Sequence, residues 1–276
     1  QIEPLSNSSD PEPGGNNIYA IVGGLAALAA AGGGGGSGGG GAGSGGGSAG
    51  SGGGPSDGQY RNTADGIYST EFNNQSMLRS INALSLNDYG YTGAGIKVGV
   101  VDSGIDSTHP EFDGKAIYGH DFANSSSGYG ADELGHGSHV ASIIAGERDG
   151  LGMRGVAYDA TLYDYKLDND GVDGLEGLTT DSQLAAVFNR HVTDGIHVSN
   201  NSWGSGTSVT LDTEAVIRAL YPDTIAAMRA AQSNGTLIVF SAGNDEDLQP
   251  DSSGALPYHI NELANEWLVV VAVDSS

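Results

Sequence analysis

The chain contains no cysteine. Disulfide staples, a thiolate nucleophile and a thiolate metal site are therefore all excluded, and the redox compartment is left open. Basic residues are scarce as well: 10 Lys and Arg stand against 34 Asp and Glu, for a formal net charge of −24. Only four of the acids, Glu3, Asp10, Glu12 and Asp57, lie in the first 60 positions, so the remainder is strongly acidic. A field of that sign repels phosphate backbones and anionic headgroups, which argues against nucleic-acid partners and electrostatic membrane docking. Long apolar runs are missing too. The only candidate targeting segment, Ile18–Ala31, covers 14 residues, short of the ~20 that a spanning helix needs. No Lys or Arg precedes it, as a signal peptide would require, so it reads as a weakly apolar prelude. The absence of an initiator Met leads us to expect that the true N-terminus is missing.

What is abundant is glycine, concentrated in the run from Gly32 to Gly54. Gly and Ser bury no side chain and lose much backbone entropy on ordering, so this run reads as a flexible tether. The expected organisation is an N-terminal segment over 1–31, a Gly/Ser-rich linker over 32–60 and a folded domain over 61–276. A segment of roughly 200 residues buries about 70% of its unfolded surface, enough for a core.

In that domain, apolar β-rich runs alternate with segments of helical period. The predicted strands are Ile96–Val101, Thr161–Lys166, Ile196–Ser199, Thr236–Phe240 and Leu268–Val273. Between them, Gln183–Phe188 and Thr224–Ala231 space apolar residues three and four apart, and Gly235 supplies a stop. Near-continuous apolar strands such as Leu237–Phe240 and Val269–Val273 imply burial on both faces, as parallel sheets require. The fold class is α/β, three-layered and doubly wound, with a mostly parallel sheet.

In such sheets reactive groups gather beyond the carboxyl ends of the strands. Three of those ends carry polar signatures. Val98–Asp106 puts Asp102 at the tip of a buried strand, where a carboxylate needs compensating donors or a cation; capping of the next loop is the plain alternative. Gly135–Gly146 opens a helix at His136, where the positive end of the dipole should disfavour imidazolium and hold the ring neutral, ready to accept a proton. His139 competes for that role, and both histidines could simply cap or pack. As a zinc pair they lack the four-residue spacing and interposed Glu of the metalloprotease motif. Thr236–Asp245 presents Asn244 on a small-residue turn, either as an oxyanion donor or as a turn former. A nucleotide-binding reading of Gly93, Gly95 and Gly99 is weak, because these glycines flank a strand instead of leading from it into a helix.

Taken together and in this order, the motifs resemble the subtilisin-like serine proteases. Asp-Ser-Gly-Ile-Asp (102–106) with His109-Pro-Glu-Phe112 is similar to their aspartate block, and His-Gly-Ser-His-Val-Ala (136–141) to their histidine block, with Ser138 where Thr is usual. Ser202-Trp-Gly204 resembles the substrate-binding segment, and Ser241-Ala-Gly-Asn244 the oxyanion segment. The resemblance implies that Asp102 orients His136, that His136 is the general base, and that Asn244 stabilises the oxyanion. It further implies that Ser202, Trp203, Gly204, Ala242 and Gly243 bind polypeptide substrate as an added strand. No serine block of the Gly-Thr-Ser-Met-Ala kind occurs in the 276 residues. The nucleophile is therefore expected beyond the end of the chain, with the present residues alone inactive. A non-catalytic binding or surface module is the alternative. The chemistry requires no cofactor. A structural calcium ion is a habit of the family, and Glu111 and Asp149 would be its oxygen ligands, against a merely solvated acidic surface. The resemblance also implies a monomeric, extracytoplasmic protein, secreted or at the cell surface, as in autotransported members of the family.

Overall fold

The computed structural model describes residues 71–72, 75–123, 131–167, 180–204, 213–243 and 250–271. The expected N-terminal segment and tether lie outside them. Six strands, β1 (Lys97–Asp102), β2 (Ile117–Asp121), β3 (Thr161–Lys166), β4 (Val198–Asn201), β5 (Leu237–Ser241) and β6 (Trp267–Val270), form one sheet in the order β2-β3-β1-β4-β5-β6. Every pairing among them is parallel. The helices are α1 (Ser76–Ser80), α2 (Ala83–Asp88), α3 (His136–Ala145), α4 (Asp181–Asp194), α5 (Glu214–Leu220), α6 (Pro222–Ser233) and α7 (Leu256–His259).

The pleat sorts successive strand residues to opposite faces, and the helices divide accordingly. Val98, Val100, Leu162, Val198 and Val239 pack with Val140, Ala141 and Ile144 of α3. On the other face, Val101 and Tyr165 meet Val187 of α4, while Ile238 and Phe240 meet Ile225 and Met228 of α6. The result is the expected three-layer arrangement. At the start of α6 the Asp181 carboxylate accepts the N–H groups of Asp223 and Thr224, both at 2.8 Å, tying α4 to α6. Desolvation opposes ionisation there, but those N–H donors outweigh it and hold the Asp181 pKa below its usual value.

Polar groups are built into both layers. His191 of α4 is fully buried, with Nε2 2.8 Å from Ser199 Oγ of β4 and its ring stacked on Tyr165 at 4.6 Å. Gly99 of β1 makes room for this pair, since a Cβ there would meet Tyr165 at 2.8 Å. That steric need accounts for one of the glycines that suggested a nucleotide site. On the α3 side, Phe72, Leu78, Ala83, Ile143 and Val156 form a further cluster. The guanidinium of buried Arg154 lies over the Phe72 ring at 5.1 Å and donates to Asn87 Oδ1 at 3.2 Å.

Two strand readings change. Ile117–Asp121 was not expected as a strand, because at the sheet edge its sequence mixes Tyr, Gly and His instead of forming an apolar run. The last strand was expected to be buried on both faces, but β6 is the other edge of the described sheet, with Val269 37% exposed.

Candidate active site

The chain runs from β1 out to β2, back to β3 beside β1, and then to β4 on the other side of β1. The strand order therefore reverses between β1 and β4, which opens a crevice at their carboxyl ends. Asp102 ends β1, and Ser202 follows β4 on the neighbouring strand, one step beyond the Val101–Asn201 pairing.

His136 is brought to Asp102 by α3. Gly137 makes that approach feasible, because a Cβ there would come within 2.1 Å of the Gly104 carbonyl oxygen and 3.1 Å of Asp102 Cβ. His136 Nδ1 then lies 2.7 Å from Asp102 Oδ1, with the Asp102 side chain 4% exposed and that of His136 42% exposed. The same Oδ1 accepts the Ser103 N–H at 2.8 Å. A hydrogen on Nδ1 donated to the carboxylate leaves Nε2 as the free acceptor. The expectation that the helix dipole would disfavour imidazolium is overturned. The hydrogen bond that the ring donates to Asp102 raises the His136 pKa above its ordinary value against desolvation, and the charges of Asp102 and Asp132 add to the rise. A carboxylate in contact with the ring outweighs the fractional charge of a helix end.

Beyond β4, Ser202 Oγ accepts from Asn200 Nδ2 at 2.9 Å. The Trp203 ring packs edge-on against Phe240 at 4.9 Å, and the Trp203 carbonyl accepts from Ser241 Oγ at 3.4 Å. Ala242 donates to the Val270 carbonyl and accepts from the Asp251 N–H, both at 2.8 Å. The Asp251 carboxyl fills the space beside two glycines: a Cβ on Gly204 would meet it at 2.7 Å, and one on Gly243 would meet Asp251 Cβ at 3.1 Å. The two segments expected to bind substrate thus converge on one side chain. Asn244 lies outside the described residues.

Glu111 and Asp149, expected as calcium ligands, both hydrogen-bond to one loop. Glu111 Oε1 accepts the Met153 N–H at 3.0 Å and Asp149 Oδ1 accepts the Leu151 N–H at 2.8 Å, so both carboxylates brace the 147–153 loop through its own amides. Among the described residues no group of three or more His, Asp or Glu could hold a metal ion, whereas calcium takes 6–8 oxygens. His139 faces solvent at the start of α3, away from any such group.

Three residues that support the site escaped the sequence reading. Asp132 and Ser103 accept hydrogen bonds from the start of α3, and Asp251 fills the space between the glycines. An Asp shortly before a helix start is a known capping signal, so Asp132 was detectable in Asp132-Glu-Leu-Gly-His136. Asp251 offered no such signal.

Comparison with known proteins bears on the family and the fold. The chain is 32% identical over 257 residues to an extracellular serine protease of Serratia marcescens, covering 77% of this chain and 23% of that protein. It is 34% identical over 194 residues to subtilisin E of Bacillus subtilis, covering 62% of this chain and 50% of that protein. The chain thus spans between about a quarter and a half of the length of these relatives. The crystal structure of fervidolysin from Fervidobacterium pennivorans, a keratinolytic enzyme related to subtilisin, superposes with a TM-score of 0.52 at 29% identity, over 68% of this chain and 27% of that one. Residues 93–276 match the model of peptidase S8, the subtilase family. With the order of the motifs, the parallel sheet and the hydrogen-bonded Asp102 and His136 all in agreement, the chain belongs to the subtilase family.

Proposed function

We propose that the protein to which these residues belong is a secreted serine endopeptidase acting on polypeptides, with Asp102 and His136 as two members of its triad. The observation that carries the reading is the 2.7 Å contact between Asp102 Oδ1 and His136 Nδ1 at the switch point of the sheet. Asp102 holds the ring with Nδ1 as donor, and Nε2 takes the proton of a serine hydroxyl delivered from outside the described residues. The serine oxygen attacks the substrate carbonyl, and the imidazolium, stabilised by Asp102, returns its proton to the leaving amine. Asn244 donates to the oxyanion, and Ser202–Gly204 with Ala242 and Gly243 holds the substrate backbone as an added strand. Residues 61–276 form the catalytic domain in this reading, with 32–60 as a linker behind the segment 1–31. Secretion is supported by the extracellular relative, and no helix among the described residues is long and apolar enough to cross a membrane.

The test is labelling of the full-length product by a fluorophosphonate probe, which reacts only with an activated serine. Labelling that disappears in His136→Ala supports the proposal. A folded full-length product that takes up no probe refutes it and leaves a non-catalytic binding module as the description.

A further inference from the structure

Helix α3 begins without a side chain able to cap it, because Gly135 occupies the cap position at φ 77°. A helix start leaves its first N–H groups unpaired, and here two of them are met from elsewhere. Asp132 Oδ2 accepts the Ser138 N–H at 2.8 Å, and Ser103 Oγ accepts the Gly137 N–H at 2.9 Å. The two acceptors are themselves joined, Ser103 Oγ donating to Asp132 Oδ1 at 2.8 Å. Asp132 Oδ1 also accepts the N–H groups of Gly135 at 2.8 Å and Leu134 at 3.2 Å. Because the Ser103 N–H donates to Asp102 Oδ1, hydrogen bonds run without a gap from Asp132 through Ser103 to the carboxylate that holds His136. The loop carrying Asp132 is fastened in turn by buried Lys166, whose ammonium donates to the Ala131 carbonyl and the Glu133 carboxylate.

We propose that Asp132 is the positioning residue of the dyad, setting both the orientation of His136 at the start of α3 and the charge that its ring faces. The inference rests on the reading of His136 as the general base, and it extends that reading to a residue that does not touch substrate. Asp132 acts in two ways. Its carboxylate fixes the first turn of α3 against β1, and so the direction in which Nε2 points. It also places a second negative charge near the ring beside Asp102, which favours the imidazolium that forms during proton transfer. A neutral amide of the same shape keeps one acceptor oxygen but loses the other and the charge, so Asp132→Asn separates this role from simple packing.

The experiment is an NMR titration of His136 in the present chain, comparing the unsubstituted protein with Asp132→Asn, Ser103→Ala and Asp102→Asn, with circular dichroism confirming that each is folded. In Asp132→Asn the His136 titration moves to lower pH, and the Gly135 and Ser138 amides exchange faster with solvent. Asp102→Asn moves the titration further in the same direction. Ser103→Ala loses Gly137 amide protection while the His136 titration moves little, because the Asp132 charge is still present. In the full-length product, Asp132→Asn lowers kcat on the order of tenfold with KM unchanged, as expected when a catalytic group is misdirected and substrate binding is untouched. A folded Asp132→Asn chain whose His136 titration and amide exchange match the unsubstituted protein overturns the proposal. Should Asp132→Asn not fold, unchanged amide exchange at Gly137 and Ser138 in Ser103→Ala overturns it instead. Because the titration needs no activity, these outcomes are independent of whether the full-length product takes up a fluorophosphonate.

Discussion

The buried histidine of α4 makes acid stability a quantitative test of the packing. Burial depresses the His191 pKa from 6.5 to about 3, with a backbone contact at Val187 and the Asp194 charge working weakly the other way. The folded chain therefore keeps His191 neutral down to about pH 3, while the unfolded chain takes up a proton as pH falls through about 6.5. Uptake by the unfolded state alone means that stability is lost on acidification between those two values, and is fully present above the upper one. The unfolded histidine is half protonated at about pH 6.5, so integrating the proton uptake from pH 6.5 to 4.5 gives about 2.3 kcal/mol. Replacement by a group that does not titrate, His191→Gln, destabilises at every pH because the ring stacked on Tyr165 is lost. That loss is common to both pH values and cancels in the difference. Urea unfolding followed by circular dichroism at pH 6.5 and 4.5 should show the unsubstituted chain losing about 2.3 kcal/mol more than the variant over the interval. Equal losses would mean that His191 is protonated in the folded state, and the reasoning would fail.

Four further predictions follow from contacts at the site and between helices. Asp102→Asn removes the acceptor that fixes the His136 tautomer, so activity of the full-length product should fall on the order of 10⁴-fold in kcat, measured on a peptide substrate. Since His136 must be neutral to act and its pKa is raised, kcat/KM of that product should fall as pH drops through a value above 6.5, and the inflection should move to lower pH in Asp102→Asn. Gly137→Ala forces a methyl to within 2.1 Å of the Gly104 carbonyl oxygen and should destabilise the chain by about 1–3 kcal/mol in urea unfolding. Asp181→Ala unties α6 from α4 and should lower stability by about 1–2 kcal/mol, with the loss diminishing as pH falls through the depressed Asp181 pKa.

Most of the sheet was legible because buried parallel strands declare themselves as apolar runs. Thr161–Lys166 was placed to the residue, and β1, β4 and β5 within one or two residues. The edge at β2 was harder, because an edge strand needs no second apolar face: with Tyr118 exposed and Gly and His in its sequence, β2 was passed over. At the site, local sequence gave Asp102 and His136, whose residue types and flanking glycines are distinctive. The balance of forces on His136 was misjudged, because the helix end is visible in sequence while the contact with Asp102 is made only by folding. Asp251 was invisible for the same reason, lying far in sequence from the Gly204 that it touches.

The strand order also separates two kinds of residue that engineering would want separate. The dyad and its supports come from β1, α3 and the loop before α3, whereas the segments read as holding substrate hang from β4 and β5 on the other side of the reversal. Substitutions in the two groups share few partners, so their energetic effects should be close to additive. A library confined to positions 202–204 and 242–243 could therefore explore cleavage preference while leaving the proton-transfer machinery as it stands.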